Sequence, residues 1–370
     1  ENFNAANAAL SAKRYSEALQ KADAAAAHAE GTQQKSAIEQ IRVGATCAGT
    51  NHQGCVTAIE KARSVGGLPA AVQQNYDKML AGKYDALGQS AKAAAQTKAN
   101  IDKYGGSATE LQYIARKELD AKNYGEAVKY AQKAVDAKGG GTAYNIMLNA
   151  YSAQGKMDDY YKVVERIAPA MKQDTYWRML IERTKKEPKF KSQEGLLDVY
   201  RALTSAGVKL NTQEQKEMAE MALNRGMAIE AEKIWAPLFK AGTLGGASDK
   251  DAARNKRLYD LATTEAKADK ATDLAKSETD AATKATGDAY ASTAESWLGS
   301  GDNTKAIDLF QKALAKGNMD AGATDFVKLR LGIAQFKGGK KADATKTWQS
   351  IKADNGAGWL AKSWLAIAKS

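Results

Sequence analysis

The sequence predicts an all-α chain: a right-handed α-solenoid of about ten short helical hairpins, finished by a C-terminal capping helix. Three observations predict it. One phrase of small and large apolar residues recurs along the chain at helical spacing. Glycine pairs punctuate the phrases. Alanine and lysine are abundant while β-branched runs are scarce, which favours helix over strand. At 370 residues the chain is long for a single ordinary core. Stacked repeats escape that limit, because each buries its apolar face on its neighbour. With 44% hydrophobic and 26% charged residues, disorder throughout is excluded.

Taken in order, the elements begin with Ala6 and Leu10, which precede KRYSEALQKADAA with Tyr15 and Ala18. Ala81 and Tyr84 precede LGQSAKAAAQ with Ala93. Ile114, Ala115 and Glu118 precede KNYGEAVKYAQKAV with Ala127, Ala131 and Ala134. Tyr144, Leu148 and Tyr151 precede QGKMDDYYKVVERI with Val164 and Ile167. Ala219 and Ala222 precede NRGMAIEAEKIW with Ala231 and Trp235. The clearest phrase, GDNTKAIDLFQKALAKG from Gly301 to Gly317, carries Ala306, Phe310 and Ala313 and follows Tyr290, Ala294 and Trp297. Gly332 precedes GGKKADATKTW with Ala344 and Trp348. Each phrase reads as an apolar-faced helix, a short polar turn and a second apolar-faced helix.

These residues resemble the tetratricopeptide repeat. Ala294, Ala306 and Ala313 match that family's small positions, and Tyr290, Trp297 and Phe310 its large ones. Small residues let paired helices approach, and aromatics fill the gaps between pairs. The resemblance covers about two thirds of the chain. It is poor near residues 172–208 and 248–286, and the closing proline of the repeat is mostly absent. It implies repeats over 1–247, an irregular Ala/Lys/Thr-rich helix pair over 248–286, and repeats plus a capping helix over 287–370.

Punctuation agrees with this division. Gly66-Gly67, Gly105-Gly106, Gly139 to Gly141 and Gly245-Gly246 fall between expected pairs. Pro69 is placed to open a helix and Pro169 to end one, while Pro237 should kink or stop the helix that contains it. The stretch Lys267 to Gly287 has Leu274 as its sole large apolar residue, so thin packing is expected there. In GWLAKSWLAIAKS, Trp359, Leu360, Trp364 and Ile367 are read as one helical face. That face either caps the last pair or presents Trp359 and Trp364 to a partner.

Cys47 and Cys55 are the two cysteines, separated by the turn-like AGTNHQG between helical stretches Ser36–Ala48 and Val56–Arg63. A disulfide closing a helical hairpin is geometrically plausible there. Two buried thiols, or a metal site including His52, are the alternatives, although a structural zinc wants four ligands. A disulfide implies an oxidising compartment, with the bacterial periplasm the first choice. The chain opens on Glu1 rather than methionine, so removal of an N-terminal segment is expected, and a lost secretory signal agrees with the cysteine usage. No apolar stretch reaches the roughly 20 residues of a membrane span.

No HExxH, nucleophile elbow, Walker loop or dinucleotide fingerprint is present, and the histidines are His28 and His52 alone. The expectation is a non-enzymatic scaffold without cofactor or metal. Its surface should hold protein partners, envelope components among them. In the family it resembles, the first helices of the pairs line a groove that grips extended peptides. Gln112 and Arg116 in one pair, and Asn145 and Asn149 in the next, are placed to point there. Amides can bond a peptide backbone and Arg116 a carboxylate. The family's carboxylate-clamping version uses a lysine and an asparagine, of which only Asn149 matches. A carrier for a small or lipid-like ligand is a second reading. The net charge of +11 leaves room for an anionic surface or polymer as a third, whereas no compact nucleic-acid recognition motif exists. The densest basic patch, Arg183, Lys185, Lys186, Lys189 and Lys191 with Glu187, straddles Pro188 and reads as a solvated loop.

Overall fold

A computed structural model describes residues 1–186 and 195–370 of the chain. Lys189 and Lys191 of the basic patch, with Glu187 and Pro188, lie outside the described residues. Among those described, regular structure is helical throughout, with no strand. The chain divides into two compact units, residues 1–160 and 161–370.

Unit 1 is a succession of antiparallel pairs. Its helices are α1 (Asn2–Ser11), α2 (Tyr15–Ala26), α3 (Gly31–Cys47), α4 (His52–Val65), α5 (Ala70–Ala86), α6 (Ser90–Tyr104), α7 (Ala108–Asp120), α8 (Tyr124–Asp136) and α9 (Gly140–Ala153). The next helix, α10 (Met157–Met171), begins in this unit. From α1 to α8 each helix packs on the one that follows, and α1 also touches α3, as α7 touches α9. The recurring alanines are the notches that permit this. Ala6, Ala18, Ala115, Ala127, Ala131 and Ala134 have no exposed surface. Larger side chains at these points would push paired backbones apart, an overpacking cost of about 1–3 kcal/mol each. Gly66 and Gly105 end α4 and α6 at φ of 78° and 76°, a conformation that a Cβ disfavours. Pro69 immediately precedes α5, as expected of a helix-opening proline.

Unit 2 holds the rest of α10, then α11 (Asp174–Glu182), a 3-10 turn (Arg183–Lys186), α12 (Leu196–Ser205), α13 (Thr212–Asn224) and α14 (Ala228–Lys240). A long helical run follows: α15 (Ala252–Ala268), a π segment (Asp269–Asp273) and α16 (Leu274–Thr283). The chain ends with α17 (Asp288–Ser300), α18 (Asn303–Lys316), α19 (Ala321–Lys337), α20 (Lys341–Gln349) and α21 (Gly356–Ile367).

Three features differ from expectation. First, the 248–286 segment is not a helix pair. Nothing between Ala252 and Thr283 is glycine or proline, so the backbone turns nowhere and the run continues through the π segment. Of α16, Leu274 and Ala281 are buried, the thin packing that its composition implies. The run stands beside the pairs rather than between them, since α14 packs directly on α17. Gly299 allows that approach, because a Cβ there would meet the Glu230 carboxylate at 2.9 Å.

Second, Pro169 and Pro237 stop no helix at once. Each sits in a last turn, and α10 and α14 end shortly after them. Third, α21 is more than an end cap. It packs on α19 and α20 and also on α11, the 3-10 turn and α12. Residues 197 to 203 of α12 are all buried, so this helix is central to unit 2 rather than one member of a row.

Candidate functional site

In unit 1 the α7 start is fixed by a capping box. The Ser107 hydroxyl accepts from the Glu110 N–H at 3.3 Å, and the Glu110 carboxylate accepts from the Ser107 N–H at 2.9 Å. That register turns Leu111, Ile114, Ala115 and Glu118 inward and leaves Arg116 exposed. On α9, Ala143, Ile146, Met147 and Ala150 turn inward and leave Asn145 and Asn149 exposed. Because α7 and α9 touch, these three side chains occupy neighbouring helices. Gln112 has a different position. Half-buried, it donates its amide to the Gly139 carbonyl and ties α7 to the turn before α9. A Cβ on Gly139 would strike the Ala134 carbonyl at 2.5 Å, so glycine is required there.

Flanking contacts steady this face. The Tyr113 hydroxyl reaches Asp85 of α5 at 3.4 Å, and Lys117 Nζ lies 5.4 Å from the Tyr113 ring centre. Beneath, the Glu118 carboxylate is held below its ordinary pKa by the hydrogen bond from Lys98, helped by Asn123 at 2.9 Å. Arg116, Asn145 and Asn149 therefore stand on a backbone fixed from below. Together they offer one cation and two amides, which suits a partner's carboxylate and extended backbone rather than covalent chemistry.

Cys47 ends α3 and Cys55 lies in the first turn of α4, joined by a disulfide with Cα atoms 4.7 Å apart. Asn51 caps α4 by accepting from the Gly54 N–H at 2.8 Å, which brings Cys55 back to the end of α3. With both sulfurs bonded to each other, the free-thiol and thiolate-metal alternatives fall. No group of three metal-ligating side chains exists among the described residues.

Trp359 and Trp364 part company. Trp364 is fully buried and stacks on Trp348 with ring centres 5.4 Å apart, while Phe336 meets it edge-on at 5.9 Å. Leu360 and Ile367 are buried beside it, whereas Trp359 is half-exposed. Five residues of α-helix turn through about 500°, so Trp359 points roughly 140° away from Trp364. The Arg183 guanidinium carbon lies 3.7 Å from the centre of the Trp359 ring and 4.0 Å from that of Tyr161, so the guanidinium rests against both aromatics.

Unit 2 also holds a chain of buried charges outside the sites that the sequence predicts. Arg201 and Asp198 of α12 are 1% and 0% exposed. Arg201 pairs with Asp198 at 2.9 Å and with Glu230 of α14. Arg330 of α19 donates to Asp198 at 2.9 Å and to Glu295 of α17 at 2.5 Å, and Arg225 reaches Glu295 at 2.6 Å. Burial alone would raise the Asp198 pKa, but Arg330 and Arg201 outweigh it and hold the carboxyl below its usual range. Burial likewise opposes ionisation of Glu230, and Arg201 overcomes it. Two charges three residues apart in the otherwise apolar LLDVYRAL could have marked this site.

No family model matches the chain, and no curated protein matches it. Solved structures do align with it. A chain of Naa15/Naa10 bound to HypK-THB is 12% identical, over 97% of this chain and 70% of that one, with a TM-score of 0.31. The P58(IPK) TPR domain is 13% identical, over 90% and 88%, with a TM-score of 0.26. The APC/C hetero-tetramer Cut9-Hcn1 is 10% identical, over 88% and 66%, with a TM-score of 0.25. The repeat character is carried by the chain's own packing. Ala294, Ala306, Ala313 and Phe310, placed at the small and large positions by sequence, are all fully buried between paired helices. By that packing the chain is an all-α protein of antiparallel helical hairpins joined through alanine-sized notches.

Proposed function

We propose that the chain is a non-enzymatic binding scaffold whose unit 1 holds an extended segment of a protein partner across the first helices of successive pairs. The observation that carries this reading is the placement of Arg116, Asn145 and Asn149. They are exposed on α7 and α9, two helices in mutual contact, while Ile146, Met147 and Leu148, between the two asparagines, are buried. Arg116 would pair with a partner carboxylate, and the asparagines would bond its backbone. Gln112 acts from below, by fixing the α9 turn. The disulfide supports work in an oxidising compartment, and we place the protein in the bacterial periplasm. Envelope proteins are then the expected partners.

The test is comparative capture from envelope extract by the whole chain and by its Arg116→Glu/Asn149→Asp variant. Both positions are exposed, so both proteins should fold. A partner retained by the first and lost by the second supports the reading; equal retention overturns it. The net charge of +11 favours a second reading, retention of an anionic polymer. That binding would collapse in high salt and persist in an Arg116→Lys/Asn149→Ala variant, which keeps the net charge.

A further inference from the structure

Unit 2 carries a pocket that the scaffold reading does not use. We propose that the turn between α20 and α21 binds a small anionic amphiphile, an apolar body bearing one carboxylate. The pocket measures about 340 Å³, within the range of small-molecule sites. Trp348, Ile351, Ala361 and Leu365 give it an apolar lining. Trp348 and Ile351 are themselves buried, at 1% and 8% exposed, so this wall is preformed. Gly358 keeps the turn tight, since a Cβ there would meet the Ala353 carbonyl at 2.0 Å.

Charge selects the ligand class. Two lysines line the pocket, Lys352 and Lys362, both exposed. Neither has a carboxylate partner among the described residues, and Lys362 Nζ hangs 4.6 Å from the centre of the half-exposed Trp359 ring. One acid, Asp354, lines the same pocket, and it accepts the Trp359 indole N–H at 3.2 Å. An apolar cavity with two unpaired ammonium groups and one engaged carboxylate favours a ligand that buries hydrocarbon and presents a single negative charge. Trp359, singled out in the sequence as a possible partner contact, becomes part of the rim.

The experiment is calorimetric titration of the whole chain with 2-naphthoate and with the uncharged 2-naphthalenemethanol. One saturable site is expected, with the carboxylate binding roughly tenfold more tightly than the alcohol. Lys352→Gln/Lys362→Gln should remove that preference, the two probes then binding alike, and leave the melting temperature unchanged, because both lysines are exposed. Leu365→Glu should abolish 2-naphthoate binding by placing like charge in the wall. The proposal is overturned by absence of saturable binding, by equal affinity for the two probes, or by a double variant that binds 2-naphthoate as the parent does.

Discussion

Replacing Arg201 by methionine should be among the most damaging single changes in unit 2. The guanidinium lies 2.9 Å from Asp198 and makes two bonds to Glu230, one of them at 3.0 Å. Asp198 would keep Arg330, but Glu230 would lose the group that holds it ionised. Breaking a buried pair on one side costs about 3–5 kcal/mol, because an uncompensated charge stays behind. Urea unfolding at pH 7 should show that loss with an unchanged m-value. The sign of the pH dependence follows from the depressed pKa values. In the parent, Asp198 and Glu230 contribute stability above their unfolded pKa values, near 4, and this is lost as pH falls through the folded values. In the variant the folded Glu230 pKa rises instead, so the deficit relative to the parent should narrow on acidification. Arg201→Met/Glu230→Met should recover more than half of the loss. A single-variant deficit below about 1 kcal/mol, or one that does not shrink in acid, would refute the ion-chain account.

Other consequences are more local. Reducing the Cys47–Cys55 bond, eight residues apart in sequence, should destabilise unit 1 by about 2.5 kcal/mol on the chain-entropy relation, read as a lower melting temperature in reductant. Gly332→Ala places a methyl 2.2 Å from the Trp348 indole nitrogen, which donates to the Leu329 carbonyl. A loss of about 1–3 kcal/mol is expected in urea despite alanine's better helix propensity. The Tyr84 hydroxyl donates to Glu60 at 2.6 Å, a bond that, with burial, pushes its pKa up to about 12. Its contribution to stability is therefore complete below pH 10 and lost between about pH 10 and 12. Ultraviolet titration should show one fewer late-ionising phenol in Tyr84→Phe.

The repeating phrases were readable because alanine notches act locally. A residue twelve positions along, across one turn, is the neighbour that an alanine must admit. The long helix was readable too, from the want of any breaker between Ala252 and Thr283, but the expectation of pairs concealed it. Gln112 fitted the outward period of α7, and only the position of the following turn shows that its amide is used internally. The central role of α12 was not readable. Asp198 and Arg330 are 132 residues apart, and no helical period encodes a partner at that distance.

The same repeat position has opposite fates in the two units, and this is the strongest reason to look for partners on unit 1. Ala81 and Ala93, Ala115 and Ala127, Ala219 and Ala231, and Ala294 and Ala306 each lie twelve residues apart. The residues following the first member are therefore equivalent: Gly82, Arg116, Glu220 and Glu295. In unit 1, Gly82 and Arg116 are exposed. In unit 2, Glu220 is bonded by Arg254 at 2.7 Å, and Glu295 is buried against Arg225 and Arg330. A ligand reaching the position in unit 2 must first break these pairs, whereas in unit 1 it meets open surface. A photo-reactive benzoylphenylalanine can be introduced at Gly82, which is exposed and where a Cβ meets nothing within 4 Å. Crosslinking from Gly82 and Arg116 should capture the same partner, and crosslinking from Glu220 should not. Capture from Glu220 alone would move the binding surface to unit 2 and overturn the assignment.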